Sequence, residues 1–150
     1  VDPYYLASIA KQNNLKTIVT LSGRKTNDSM DQFVINEIKQ FLKSKKKMLK
    51  NSKILIIGLS YKAGIADLRN SINLKIFNIL KKKALKVDVH DPFINKEAKI
   101  KFKALNKINN NNTYDAILFL SKNSYFENQF KKLNKKMNRF KIVDPFEYYV

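Results

Sequence analysis

The stretch KILIIGL, residues 53–59, restricts the possible folds more than any other part of the chain. It is a continuous apolar run and not an alternating one, the pattern of a parallel strand covered on both faces. Parallel neighbours need crossover connections, usually helices, and the sequence that follows supplies them. NSINLKIFNILKKKAL (70–85) has helical spacing, with Ile72, Ile76, Phe77, Ile79 and Leu80 as its buried stripe. KVDVHDP (86–92) reads as a second strand, NKEAKIKFKAL (95–105) as a short, highly charged helix, and DAILFL (115–120) as a third strand. SYFENQFKKLNKKM (124–137) is a further helix and FKIVDP (140–145) a fourth strand. This βαβαβαβ order with short links predicts an α/β fold, a parallel sheet with helices on both faces. The Asn run 109–112 is expected in an exposed loop.

The N-terminal third has a different period. Asp2-Pro3 is an N-cap and first-turn pair, predicting a helix to about Asn13 with Leu6, Ile9 and Ala10 on one face. LKTIVTLSGRKTNDSM (15–30) is ambiguous between helix and extended chain. Asn27-Asp28-Ser29 is expected to cap a second helix whose apolar face is Met30, Phe33, Val34, Ile38, Phe41 and Leu42. The Lys-rich KSKKKMLKNS (43–52) then reads as a solvated helix end and linker. It divides a helical segment, 1–50, from a sheet domain, 51–150.

Composition narrows the chemistry. There is no cysteine, which excludes disulfides, zinc thiolate sites and a Cys nucleophile in this chain, and His90 is the only histidine. No run approaches the roughly 20 apolar residues of a membrane span, and VDPYYLASIA does not resemble a signal peptide, so a cytoplasmic setting is expected. The net charge of +18 raises the question of nucleic acid. However, 27 of the 30 basic residues are Lys, and the chain also holds 18 Asn. Base and phosphate recognition favours Arg, so Lys and Asn inflated together read as codon bias.

Ligands of open parallel sheets sit beyond the carboxyl ends of the strands, which directs attention to Ser60, Tyr61 and Lys62, His90 and Asp91, Ser121 and Lys122, and Asp144. A Gly-x-Gly-x-x-Gly turn would hold a dinucleotide pyrophosphate, but the corresponding residues here are Gly58, Ser60 and Ala63, so the fingerprint fails. Tyr61 offers a face for a base, Lys62 an ammonium for a phosphate, and Arg69 a guanidinium at a helix start. A plain solvated connection fits the same residues. His90, a lone histidine at a strand end, reads as a packed structural group, and Asp2 as a helix cap.

VDPYYL (1–6), SGRKTNDSM (22–30), ILIIGLSYKAGIADLRNS (54–71) and VDVHDP (87–92), in this order, resemble the UDP-glucose/GDP-mannose dehydrogenase superfamily of nucleotide-sugar 6-dehydrogenases. VDPYYL in place of PKD favours the branch acting on UDP-N-acetylhexosamines. The resemblance implies a helical dimerisation segment followed by a Rossmann-like UDP-binding domain. The implied reaction is the NAD-dependent oxidation of a sugar C6 alcohol to a carboxylate through a Cys thioester. That cysteine and the NAD domain are expected upstream of residue 1, with an upstream half of the same enzyme as a candidate partner, which would leave this chain inactive alone. Residue by residue, Asp2 matches the aspartate that helps activate the hydrolytic water. Tyr61 and Lys62 match the aromatic-Lys pair at the UDP-sugar, Arg69 matches the arginine that reaches NAD, and Asp67 is expected to orient that loop or its Arg. Two positions depart from the family: Asn123 stands where His is usual, and Asp144-Pro145-Phe146-Glu147 lacks an Arg that many members carry. A basic nucleic-acid-binding module and a structural remnant of a split gene are the alternatives.

Overall fold

The computed structural model describes residues 2–60, 64–108, 114–136 and 142–149. Three helices come first: α1 Asp2–Gln12, α2 Ile18–Asp28 and α3 Met30–Ser44. A single 3-10 turn, Leu49–Asn51, leads into β1 Lys53–Ile57, α4 Ile72–Lys83, β2 Lys86–His90, α5 Lys96–Phe102, β3 Ala116–Phe119, α6 Ser124–Lys136 and β4 Ile142–Val143. The four strands form one parallel sheet in the order β2-β1-β3-β4, with Ile54 opposite both Val87 and Ala116. The predicted α/β parallel sheet is therefore the observed one.

Strand alternation decides what each face meets. Ile54 and Ile56 of β1, with Ala116 and Leu118 of β3, face α3 and α4 in one cluster. Leu55 and Ile57, with Ile117 and Phe119, face α6 in the other, where Phe126 and Leu133 are buried. All eight strand residues are fully buried, which explains why the sequence shows runs without alternation. At the β2 edge, Ala98 of α5 joins the first cluster, while Phe93 and Leu105 on either side of the helix join the second.

Helix starts follow side-chain chemistry. The Ser71 Oγ accepts from Leu74 N and donates to the Leu59 carbonyl, so one hydroxyl both caps α4 and ties it to the chain leaving β1. Asn95 caps α5 through Ala98 N, and Asn123 caps α6 through Phe126 N at 2.8 Å. Asn123, one of the two departures from the family pattern, thus has a structural task.

The N-terminal third differs in detail from the sequence reading. The ambiguous segment is helical over Ile18–Asp28, although it has no buried residue of its own. Asn27-Asp28-Ser29 does not cap α3 by side chain: Ser29 has helical dihedrals, its Oγ donates to the Thr26 carbonyl, and Asp28 is drawn to Arg24 and Tyr4. The buried stripe of α3 is Val34, Ile35, Ile38 and Leu42, with Phe33 44% exposed. Leu6 and Ile9 of α1 are more than half exposed, and only Ala10 is buried. The helical segment therefore splits: α3 shares the sheet's core, whereas α1 and α2 leave apolar side chains in solvent.

Candidate functional site

The chain leaves β1 for β2 on one side and reaches β3 on the other, so the carboxyl ends of β1 and β3 flank the point where the strand order reverses. A crevice opens there in folds of this kind. Its floor is built from residues far apart in the sequence, from Gly58 to Tyr149. Gly58 has φ +89°, and a Cβ on it would lie 2.3 Å from the Ser121 Oγ. Only glycine allows both this left-handed backbone and this close approach of the β3 end. Asp91, 1% exposed, accepts from Leu59 N at 2.8 Å, Ser60 N at 3.1 Å and Phe93 N at 3.0 Å. Its carboxylate thereby binds the exit of β1 to the exit of β2. Asn73, buried on α4, directs its amide nitrogen at Ser60 O, Leu120 O and Ser121 Oγ. The Tyr149 hydroxyl, donating to Ser121 O at 2.7 Å, adds the segment after β4. Burial pushes the Tyr149 phenol up to about 12, so it is a permanent donor near neutral pH.

Above this floor lies a cleft of about 310 Å³. Asn70, Asn73 and Lys75 line it from the start of α4, Phe146 and Tyr148 from the chain after β4, and Arg24 and Asp28 from α2. Arg24 pairs with Asp28, and Tyr4 donates to the other oxygen of the same carboxylate at 2.9 Å. Tyr4's hydroxyl, followed by the Arg24 guanidinium, holds the Asp28 carboxyl below its ordinary range. The cleft therefore offers three amides (Asn27, Asn70 and Asn73), an ammonium, a guanidinium paired with a carboxylate and two aromatic rings, a mixed lining suited to a polar ligand with a planar part.

The residues expected from the sequence fall around this cleft unevenly. Tyr61 and Lys62 lie outside the described residues; the chain is fixed as far as Ser60, next to them, by Asp91 and Asn73. Arg69 adjoins Asn70 of the lining, and its side chain is 87% exposed. Asp67 grips it in a two-pronged pair, Nε to Oδ1 at 3.0 Å and Nη2 to Oδ2 at 2.8 Å. That grip holds the Asp67 carboxyl down at about 2. Asp2 sits exposed in the first turn of α1, with no hydrogen bond or ion pair among the described residues. Tyr4, two residues on, reaches the cleft wall at Asp28. Sequence reasoning missed Asn73, because an isolated Asn on a helix carries no periodic signal, and it singled out Ser121 by its place after a strand without its contact to Gly58.

His90 is 1% exposed, as expected of a structural histidine. Its Nδ1 donates to the Leu105 carbonyl at 2.8 Å, which leaves Nε2 to accept from the Tyr125 hydroxyl at 2.8 Å. Burial lowers its pKa, so the neutral ring is favoured. The turn after β1 also fits no resident dinucleotide: the space at Gly58 is taken by Ser121, and Ser60, where a second glycine would be needed, is fully buried.

The family model for the UDP-glucose/GDP-mannose dehydrogenase family, UDP binding domain, matches residues 55–149. The chain belongs to this family. It is 26% identical over 145 residues to UDP-N-acetyl-D-glucosamine 6-dehydrogenase of Pseudomonas aeruginosa, covering 95% of this chain and 34% of that protein. It is 33% identical over 138 residues to protein CapL of Staphylococcus aureus, covering 89% and 32%. Among solved structures, a UDP-D-ManNAc dehydrogenase from Pyrococcus horikoshii superposes with a TM-score of 0.76 at 26% identity, over 95% of this chain and 32% of that one. The chain spans about a third of the length of the relatives it matches. Its Rossmann-like sheet is the fold of their C-terminal UDP-binding portions. No described helix is long and apolar enough to cross a membrane.

Proposed function

We propose that this chain forms the UDP-sugar side of an NAD-dependent UDP-N-acetylhexosamine 6-dehydrogenase. The observation that carries the reading is the cleft at the reversal point of a sheet belonging to the UDP-binding family, lined by donors and two aromatic rings. The matched relatives named for UDP-N-acetyl-glucosamine and UDP-N-acetyl-mannosamine support the hexosamine class.

In this reading Tyr61 and Lys62 contact the UDP-sugar, and Asp91 and Asn73 anchor the chain before them at Ser60. A fixed anchor lowers the entropy lost when a flexible side chain closes on diphosphate. Arg69, oriented by Asp67, presents its free edge to an anion on the solvent side. That anion is the NAD of the whole enzyme, which would accept the hydride and be held mainly by a part outside these residues. Asp2 serves the hydrolytic water beside the thioester cysteine, a residue type that this chain lacks. Residues 1–50 supply the dimer contact and 51–150 the nucleotide domain, in the cytoplasm. Tyr5, Leu15, Ile18 and Val19, 66–86% exposed on and between α1 and α2, are the surface that a second copy would cover.

Calorimetric titration of the chain with UDP tests the reading. Saturable binding is expected, weakened roughly tenfold by Lys62→Ala through loss of one charge-assisted contact. A folded chain that binds no UDP would overturn it.

A further inference from the structure

A second cleft, about 420 Å³, opens over the β2 edge of the sheet, between the α5–β3 connection and α6. It shares no lining residue with the cleft at the strand ends. Asn106 and Lys107 stand on one wall and Gln129 and Lys132 on the other, with Tyr125, Ile108 and Leu133 between them and His90 beneath.

Hydrogen-bond direction makes this cleft chemically one-sided. The His90 Nδ1 hydrogen is spent on Leu105 O, so Nε2 can only accept, and the Tyr125 hydroxyl gives it its single hydrogen. Gln129, one turn along α6 from Tyr125, lines the cleft beside it, and Asn106, Lys107 and Lys132 complete a rim rich in N–H donors.

Among the described residues no carboxylate lines this cleft. Glu127, the acid on the same helix, is paired with Lys131 at 2.6 Å, and Asp88, on β2, is engaged by Tyr114 and Lys86. Lys107 and Lys132 have no ion-pair partner among the described residues. Two ammonium groups, two amides and no acid define a seat for a doubly charged oxyanion. Ile108, Leu133 and the Tyr125 ring give an apolar wall beside it, and the volume suits a small organic molecule and exceeds what a lone ion fills.

We propose that this cleft is a second binding site, for a phosphate monoester with a planar or apolar body. Lys107 and Lys132 hold the phosphate, Gln129 and Asn106 donate to its oxygens, and the Tyr125–Ile108–Leu133 wall receives the body.

The test is an NMR titration of the labelled chain with phenyl phosphate and with inorganic phosphate, which have similar charge. Saturating shifts are expected at Lys107, Gln129 and Lys132, with phenyl phosphate binding at least about threefold tighter because its ring leaves water. The double variant Lys107→Ala/Lys132→Ala should lose about tenfold or more in affinity while binding UDP as before. Lys81→Ala/Lys82→Ala, which removes the same charge from α4, should lose none. All four lysines are exposed, so both variants keep the core intact. Equal losses in the two double variants would reduce the effect to diffuse attraction by a basic chain and overturn the proposal. So would shifts that never saturate, or equal affinity for the two phosphates.

Discussion

Gly58 and Ser121 lie so close that a single methyl group on Gly58 would come within 2.3 Å of the Ser121 hydroxyl and 2.4 Å of its Cβ. The ends of β1 and β3 are locked at this point, and the cleft floor depends on it. Gly58→Ala meets both this contact and a φ of +89°, and is expected to cost about 3 kcal/mol in urea unfolding. Adding Ser121→Gly should recover the contact part and leave the backbone part. A stability equal to wild type would refute the close approach.

Asp91 is the second lock. Asn at this position has one accepting oxygen and an NH2 that faces amide donors, so Asp91→Asn should destabilise by about 2 kcal/mol or more. Faster hydrogen exchange is expected at Leu59 and Ser60, the two amides it holds. Unchanged protection there would show that the carboxylate is not what orders the turn.

The Asp67–Arg69 pair has a direct spectroscopic signature. The Asp67 carboxyl, held by Arg69's hydrogen bonds, should titrate near about 2, and Arg69→Gln should return it toward 3.8. Carbon NMR of the carboxylate reads both. A midpoint that ignores the substitution would mean the pair does not persist in solution.

His90 predicts the sign of a pH dependence. Its folded-state pKa is lowered from 6.5 by burial, so the unfolded chain binds the proton more readily. Stability from this group is complete above about pH 6.5 and declines as pH falls from there toward the depressed folded value. Between about pH 7.5 and about pH 5.5 the wild type should lose stability that His90→Gln, already destabilised, does not lose further. Parallel curves for the two proteins would contradict this.

The apolar surface of α1 and α2 gives a prediction for assembly. Val19 is 86% exposed, so Val19→Asp should leave the monomer's stability nearly unchanged. Under the proposed dimer it should instead shift sedimentation from dimer to monomer. A wild-type chain that sediments as a monomer at high concentration would remove the dimer.

Much of this protein was legible without coordinates. The order of strands and helices, the parallel pairing and burial on both faces followed from apolar runs alternating with helical periods. Those patterns record local geometry and solvent contact, which each segment carries in itself. The structural role of His90 and the failure of the dinucleotide turn were equally readable, one from a lone residue and one from missing glycines. Tertiary structure alone decided that Ser121 meets Gly58, that Asp91 gathers three amides, and that Asn73 joins two strand ends. It also decided that α3 lies on the sheet while α1 and α2 leave apolar side chains exposed, that Asp28 turns to Arg24 instead of capping α3, and that Lys107 and Lys132 line one cleft. Each depends on which distant residues arrive at the same place, and periodicity along a chain holds no record of that.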